Sequence, residues 1–205
     1  MTPVDDQTPT RDEQAAAKAA LRTTLRDRRA RYVAALPPSV RGIAFRVLPS
    51  PLIRRLTPGS IISLYHATRD EAPTANIAAQ LDELGFRLAL PRIDRETGAM
   101  AFARWDLERI LVPGPFRTLQ PGAEAAEVTP DVIIAPLVGF DGALNRLGQG
   151  GGYFDRAFAA HPQALRIGLG WSAQQVDHVP VDAHDRPLDI VVTETAILEK
   201  EEAAQ

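Results

Sequence analysis

Residues 145–156 read NRLGQGGGYFDR. Four of the chain's 14 glycines, Gly148, Gly150, Gly151 and Gly152, fall within five positions there, with Arg146 before them and Tyr153 and Asp155 behind. A loop without side chains lets a bulky anion lie against its amides, and a helix starting just after it adds partial positive charge. An arginine beside such a loop can fork onto phosphate oxygens. A carboxylate on its far side can hold Mg²⁺ against the same phosphates. The same glycines would equally suit a tight strand-to-helix turn with no ligand. Their G-x-G-G-G spacing misses the dinucleotide fingerprint G-x-G-x-x-G, and no Gly-Lys-Ser/Thr follows, so neither familiar phosphate motif is present.

Other groups could take part. Lys18, Arg22, Arg26 and Arg29 are four, four and three residues apart, which places them in one stripe if the segment is helical. Such a stripe is either a solvated face or a row of cations for an anion. The stretch DAHDRPLD (182–189) mixes aspartates with a histidine, a pattern of turns and caps as well as of metal sites. His66 and His184 read as polar edge residues, Tyr65 and Trp171 as core. Glu71 stands where it could cap a helix beginning near Thr74. With no cysteine, thiolate nucleophiles, disulfides and Cys-ligated metals are excluded.

The elements that must position these groups follow from periodicity. Thr10 and Glu13 have the spacing of a capping box, and a helix runs from there to about Leu36, where Pro37 and Pro38 stop it. Leu21, Leu25, Tyr32 and Leu36 mark its buried face. Ser39 is expected to cap a second helix to about Leu48, broken by Pro49 and Pro51. Strands are predicted at 60–66, 86–92, 99–105, 131–138, 166–171 and 189–194, and helices at 74–85 and 152–160. The run DVIIAPLV is continuously apolar, as parallel central strands tend to be. Alternating strands and helices predict a three-layer α/β/α sandwich on a mostly parallel sheet, with a helical N-terminal segment. The chain has no repeats or linkers, so one domain is expected over 10–198, between flexible tails at 1–9 and 199–205.

Bulk properties narrow the class of function. Hydrophobic residues make up 45% of 205, enough for a substantial core, and no apolar run is long enough for a membrane span. A net charge of −3 argues against general nucleic-acid binding while leaving room for a local basic patch. The polar N-terminus lacks a signal-peptide pattern. These features fit a cytoplasmic protein with room for a small phosphorylated ligand.

PLVGFDGALNRLGQGGGYFDR resembles the signature of the 5-formyltetrahydrofolate cyclo-ligase family, approximately P-x-x-x-F-D-x-x-G-x-R-L-G-x-G-x-G-Y-Y-D. KAALR (18–22), LYHATRDEAPT (64–74) and GLGWSAQQVDHVPVDAHDRPLDIVVTE (168–194) resemble other parts of the same family, in the same order. The resemblance implies ATP- and Mg²⁺-dependent conversion of 5-formyltetrahydrofolate to 5,10-methenyltetrahydrofolate. It implies that Lys18 and Arg22 reach the nucleotide phosphates. Arg146, Gly148, Gln149, Gly150, Gly151, Gly152 and Tyr153 would wrap the phosphates and the reacting formyl group, with Arg146 and Tyr153 closest to the chemistry. Asp155 and Asp185 would match the family's magnesium-associated aspartates, Glu71 would hold the pterin, and His66 would line the site beside it. The resemblance adds the expectation of a monomeric or weakly associated enzyme acting on a small molecule. Polyglutamate preference stays open.

Two positions depart from the pattern. Phe154 replaces the second tyrosine, and Leu144 replaces a glycine two residues before Arg146. Leucine is a poor occupant of a left-handed position, so Asn145 is expected to adopt it instead. These departures keep a non-catalytic folate- or nucleotide-binding protein as one alternative. A sugar-phosphate isomerase on a similar scaffold is the other.

Overall fold

The capping box that opens the first helix forms in both directions. The Glu13 N–H donates to Thr10 Oγ1 at 3.3 Å, and the Thr10 N–H donates to Glu13 Oε2 at 2.7 Å. In this computed structural model, which describes residues 10–182 and 184–200, that helix is α1 (Arg11–Ala35). Its buried positions are Lys18, Leu25, Arg29 and Val33. The apolar face expected at Leu21, Leu25, Tyr32 and Leu36 is only half-buried apart from Leu25. Two of the inward positions are cations, because α1 lies along a polar cleft as well as over the core.

The predicted helix from Ser39 to Leu48 ends early, as α2 (Pro38–Ile43), and a separate short helix, α3 (Ser50–Ile53), begins beyond its expected end. Ser39 caps neither. Pro49 precedes α3 and Pro51 lies in its first turn. A first-turn residue needs no N–H partner, so these prolines begin a helix rather than end one.

The remaining elements are β1 (Ile61–Ser63), α4 (Ala75–Glu83), β2 (Arg87–Ile93), β3 (Met100–Trp105), β4 (Val112–Pro113), β5 (Leu119–Gln120), β6 (Val132–Pro136), β7 (Gly139–Phe140), β8 (Arg146–Leu147), α5 (Tyr153–Ala160), β9 (Leu165–Leu169), β10 (Ile190–Val192) and β11 (Ile197–Glu199). Seven strands form one sheet in the order β11-β10-β9-β6-β1-β2-β3. Every pairing from β10 to β2 is parallel, and the edge strands β11 and β3 run antiparallel. Of the expected tails, 1–9 and 201–205 lie outside the described residues, whereas Glu199 ends β11 and pairs with Arg55 at 2.5 Å.

Alternation along the strands splits the core into two layers. Ile62, Leu88, Ile134, Ile167 and Val192 face one side, with Val33, Leu52, Ile77 and Leu81 from α1, α3 and α4. Ala89, Ile133, Ala135 and Val191 face the other, with Ala157 and Phe158 of α5 and the loop residues Leu144 and Leu188. Helices therefore cover both faces of a mostly parallel sheet. The chain leaves β1 through α4 toward β2 on one side, and leaves β6 through α5 toward β9 on the other. The carboxyl ends of β1 and β6 thus flank the point where the winding reverses, the place where open α/β sheets bind ligands.

Candidate active site

A cleft of ≈ 830 Å³ opens at that point. Lys18, Arg22, His66, Glu71, Arg146, Gly148, Gln149, Gly150, Gly151, Gly152, Tyr153, Asp155 and Asp185 all line it. One wall is α1, one is the glycine loop leading into α5, and the β1–α4 segment 64–74 closes a third side. An apolar stretch that includes Pro91, Ile93, Met100 and Leu119 completes it.

The glycine loop is shaped by a turn just before it. Asp141, 2% exposed, accepts from the N–H groups of Ala143 and Asn145 at 3.0 Å, from Asn145 Nδ2 at 3.0 Å and from the Val179 N–H at 2.9 Å. A carboxylate satisfied four times fixes the backbone between β7 and β8. Leu144 is the residue this turn forces to φ 62°, so it takes the left-handed place expected of Asn145. The strain persists because the Leu144 side chain is buried in the second core layer and its carbonyl accepts from the Leu188 N–H at 3.0 Å. Arg146 then emerges on β8 with its side chain buried.

Within the loop, Gly150 and Gly152 have φ of 105° and 65°, conformations that side chains resist. Gly148 serves a different need, since a Cβ there would sit 2.6 Å from Arg146 Nη1. Arg146 Nη2 donates to Asp155 Oδ1 at 2.9 Å, and its guanidinium stands 5.6 Å and 5.7 Å from the ring centres of Phe154 and Phe158. Phe154 thus packs against the arginine.

The basic stripe is more than a solvated face: Lys18 and Arg29 are buried and Arg22 half-buried, and only Arg26 is exposed. Lys18 Nζ lies 2.5 Å from both Asp182 Oδ2 and Asp185 Oδ2. Burial pulls its pKa down, but the hydrogen bonds and charges of the two aspartates prevail and hold it above its ordinary value. Arg22 Nε donates to the Gly148 carbonyl at 2.9 Å, and Arg26 Nη2 donates to Gln149 Oε1 at 2.7 Å. Burial, and then the charge of Arg26, lowers the pKa of Arg22. Across the cleft, Gln149 Nε2 donates to Glu71 Oε1 at 3.1 Å. Glu71 does not cap α4; its other oxygen accepts from the Thr68 N–H at 2.8 Å. Gln149 therefore ties the glycine loop to both the basic helix and the acidic wall. His66 borders the site with a buried Nδ1 that has no partner among the described residues.

Among the described residues no group of three or more acidic, histidine or cysteine side chains could cage a metal. Asp155 and Asp185 each face a cation, Arg146 and Lys18 respectively. Asp155 Oδ2 and Asp185 Oδ1 have no hydrogen bond among the described residues, so each aspartate keeps one oxygen for a ligand. That donor set suits Mg²⁺ held by one or two carboxylates together with phosphates, rather than a closed protein site.

Sequence reasoning missed three contributors. Asp182 joins Asp185 on Lys18, and only its place in an aspartate-rich turn hinted at it. Arg26 belongs to the stripe, whose spacing alone assigns it no role, yet it holds Gln149. Phe116 sits at φ 57° between β4 and β5, with its ring 5.8 Å from that of Tyr153 at the cleft's apolar end. An exposed aromatic in the Gly-Pro-Phe turn was its only signal. Tyr65 and Trp171 are core residues, as expected, although Tyr65 also borders the cleft.

This fold and cleft have known counterparts. Residues 14–194 match the profile of the 5-formyltetrahydrofolate cyclo-ligase family. The chain is 30% identical over 145 residues to the 5-formyltetrahydrofolate cyclo-ligase of Escherichia coli (strain K12), covering 67% of this chain and 80% of that protein. It is 29% identical over 147 residues to the Mus musculus protein of the same name, covering 65% and 72%. The solved structure of Aquifex aeolicus 5,10-methenyltetrahydrofolate synthetase shares the fold with a TM-score of 0.73 at 24% identity, over 92% of this chain and 95% of that one. A Mycoplasma pneumoniae 5,10-methenyltetrahydrofolate synthetase superposes with a TM-score of 0.62 at 24% identity, over 86% and 98%. With the match extending from the first turn of α1 past β10, the chain belongs to the 5-formyltetrahydrofolate cyclo-ligase family.

Proposed function

We propose that the protein converts 5-formyltetrahydrofolate and ATP to 5,10-methenyltetrahydrofolate, ADP and phosphate. The observation that carries this reading is the meeting, in one cleft at the sheet's switch point, of a cationic wall and bare glycine loop with Glu71 and an apolar end. A triphosphate suits the first half and a pterin the second.

A formamide oxygen is a poor leaving group and must be activated. It attacks the terminal phosphoryl group of ATP, ADP departs, and a phosphorylated iminium remains on the folate. N10 then attacks the activated carbon, losing its proton, and the C–O bond breaks to release phosphate. Such a transfer needs in-line positioning and charge neutralisation, with no protein nucleophile. The cysteine-free composition is no obstacle.

Lys18, Arg22 and the loop Gly148–Tyr153 bind the phosphates, and Arg146 neutralises the group in transfer. Lys18 is held ready by Asp182 and Asp185, which hand it over to a more highly charged partner. Mg²⁺, when bound, offsets phosphate charge, and Asp155 and Asp185 are the residues that would hold it. Glu71 accepts from the pterin's N–H groups, and His66 borders the same end. Tyr153, on the apolar side with Phe116, orients the folate over the loop. In this reading the enzyme works as a cytoplasmic monomer.

Incubating the purified protein with 5-formyltetrahydrofolate, ATP and Mg²⁺ should produce methenyl-folate absorbance and release ADP in step. Folate and nucleotide binding without product would instead indicate a non-catalytic protein. Family membership sets aside the sugar-phosphate isomerase alternative.

A further inference from the structure

Arg29 is the member of the α1 stripe to which the preceding account gives no task. It lines the cleft and is only 8% exposed. Among the described residues its one side-chain hydrogen bond runs from Nη1 to the Leu137 carbonyl at 3.3 Å, and that carbonyl already accepts from Gln174 Nε2. Its Nε is buried and has no partner among them. Lys18 has two aspartates and Arg146 has Asp155, but among the described residues no carboxylate lies within ion-pair distance of Arg29. A guanidinium cannot shed its proton to escape burial. An uncompensated buried charge is strongly unfavourable, and an apolar side chain would serve the fold better.

Arg146 repeats the arrangement one residue upstream. Its Nη1 reaches the Pro136 carbonyl at 3.4 Å, and its Nε too is buried and unpartnered. Two guanidiniums therefore lean on consecutive carbonyls at the carboxyl end of β6, at the switch point, with donors left over. Tyr65, two residues past β1, lines the same cleft as Arg29.

We propose that Arg29 and Arg146 form a two-guanidinium site for the phosphoryl group in transit, which then leaves as inorganic phosphate, with Arg29 supplying the uncompensated charge. This rests on the cyclo-ligase reading and adds a catalytic residue to it. In that reading the folate's own carboxylates lie on a flexible tail that runs out toward the mouth of the cleft. The anion that must reach the closed end, beside the reacting carbon, is the phosphoryl group. Its three oxygens match paired forks.

The test uses the full chain, Arg29→Met, Arg29→Lys, and inorganic phosphate as the probe. Phosphate should raise the melting temperature of the wild type. Arg29→Met should lose most of that rise, yet melt without phosphate at or above the wild type, because an apolar side chain has replaced an unpaired buried charge. Arg29→Lys should keep part of the response. In turnover, Arg29→Met should lower kcat about 100- to 1000-fold, the scale of losing one charge-stabilising donor. ADP, which lacks the transferred group, should bind Arg29→Met within about threefold of wild type. The proposal is overturned if phosphate leaves the wild type unmoved, or if Arg29→Met melts lower while keeping the wild-type response. Normal turnover by Arg29→Met would remove the phosphoryl site and leave the cyclo-ligase reading standing. A phosphate response that depends on Arg29, in a wild type that turns over no folate, would do the reverse.

Discussion

Replacing Leu144 by glycine, the residue usual at this place in the family signature, should destabilise the protein. Two effects compete. Leu144 adopts φ 62°, and a left-handed conformation costs a non-glycine residue about 1–2 kcal/mol, which glycine would recover. Against this, the Leu144 side chain is 1% exposed, packed in the layer that includes Phe140, Phe158 and Leu188. Truncating a buried leucine costs about 2–5 kcal/mol once the cavity is included. At the middle of both ranges packing wins, with a net loss of about 2 kcal/mol. For a chain of this size that corresponds to a melting temperature lower by roughly 4–8 °C. Leu144→Ala loses the packing and keeps the strain, so it should melt no higher than Leu144→Gly. Thermal and urea denaturation of the three proteins would measure the order. The four bonds to Asp141 do not involve the Leu144 side chain, so activity per folded molecule should change little. A glycine variant that melts at or above the wild type would refute the reasoning, for strain would then outweigh packing.

Two further predictions bear on charge. Arg146→Lys keeps a positive charge but loses the fork that reaches Asp155 and, in the proposed reaction, the phosphates, so kcat/KM should fall about 100-fold or more while the melting temperature moves only a few degrees; parallel losses in both would make Arg146 structural. Glu194 accepts from Tyr32 Oη at 2.6 Å, from the Ser172 N–H at 2.8 Å and from the Ser172 hydroxyl. Burial alone would raise its pKa, but these donors prevail and hold it below the ordinary value. A depressed carboxylate pKa stabilises the fold above the unfolded value of about 4.3, and the contribution is lost as pH falls through the folded value. Glu194→Gln should therefore show a shallower loss of melting temperature between about pH 5 and pH 3 than the wild type. Equal slopes would show that Glu194 is not ionised preferentially in the fold.

The parallel core of the sheet was legible because DVIIAPLV and its companions carry the continuous apolar signature of doubly covered strands. Short pairings such as β7–β8 leave no periodicity in two residues and were invisible. The helix expected at 39–48 stops at Ile43, before the left-handed Phe45, and Pro49 and Pro51, expected to break it, instead open α3, because proline suits a first helical turn as well as a helix end. Glycine, arginine and aspartate at 146–155 advertised their loop directly. The inward turn of Lys18 and Arg29 was hidden by polarity, since charged residues on an amphipathic helix normally face water. The left-handed Leu144 was unreadable for a related reason. Its strain is held by a buried carboxylate and a distant loop, neither of which local propensity reports.

The central claim, that this cleft joins a formyl oxygen to the terminal phosphoryl group of ATP, is tested most directly with 5-formyltetrahydrofolate carrying oxygen-18 in its formyl group. Turnover with ATP and Mg²⁺ should yield methenyl-folate, ADP and phosphate containing one oxygen-18 atom per molecule. Unlabelled phosphate, or no turnover at all, would contradict it.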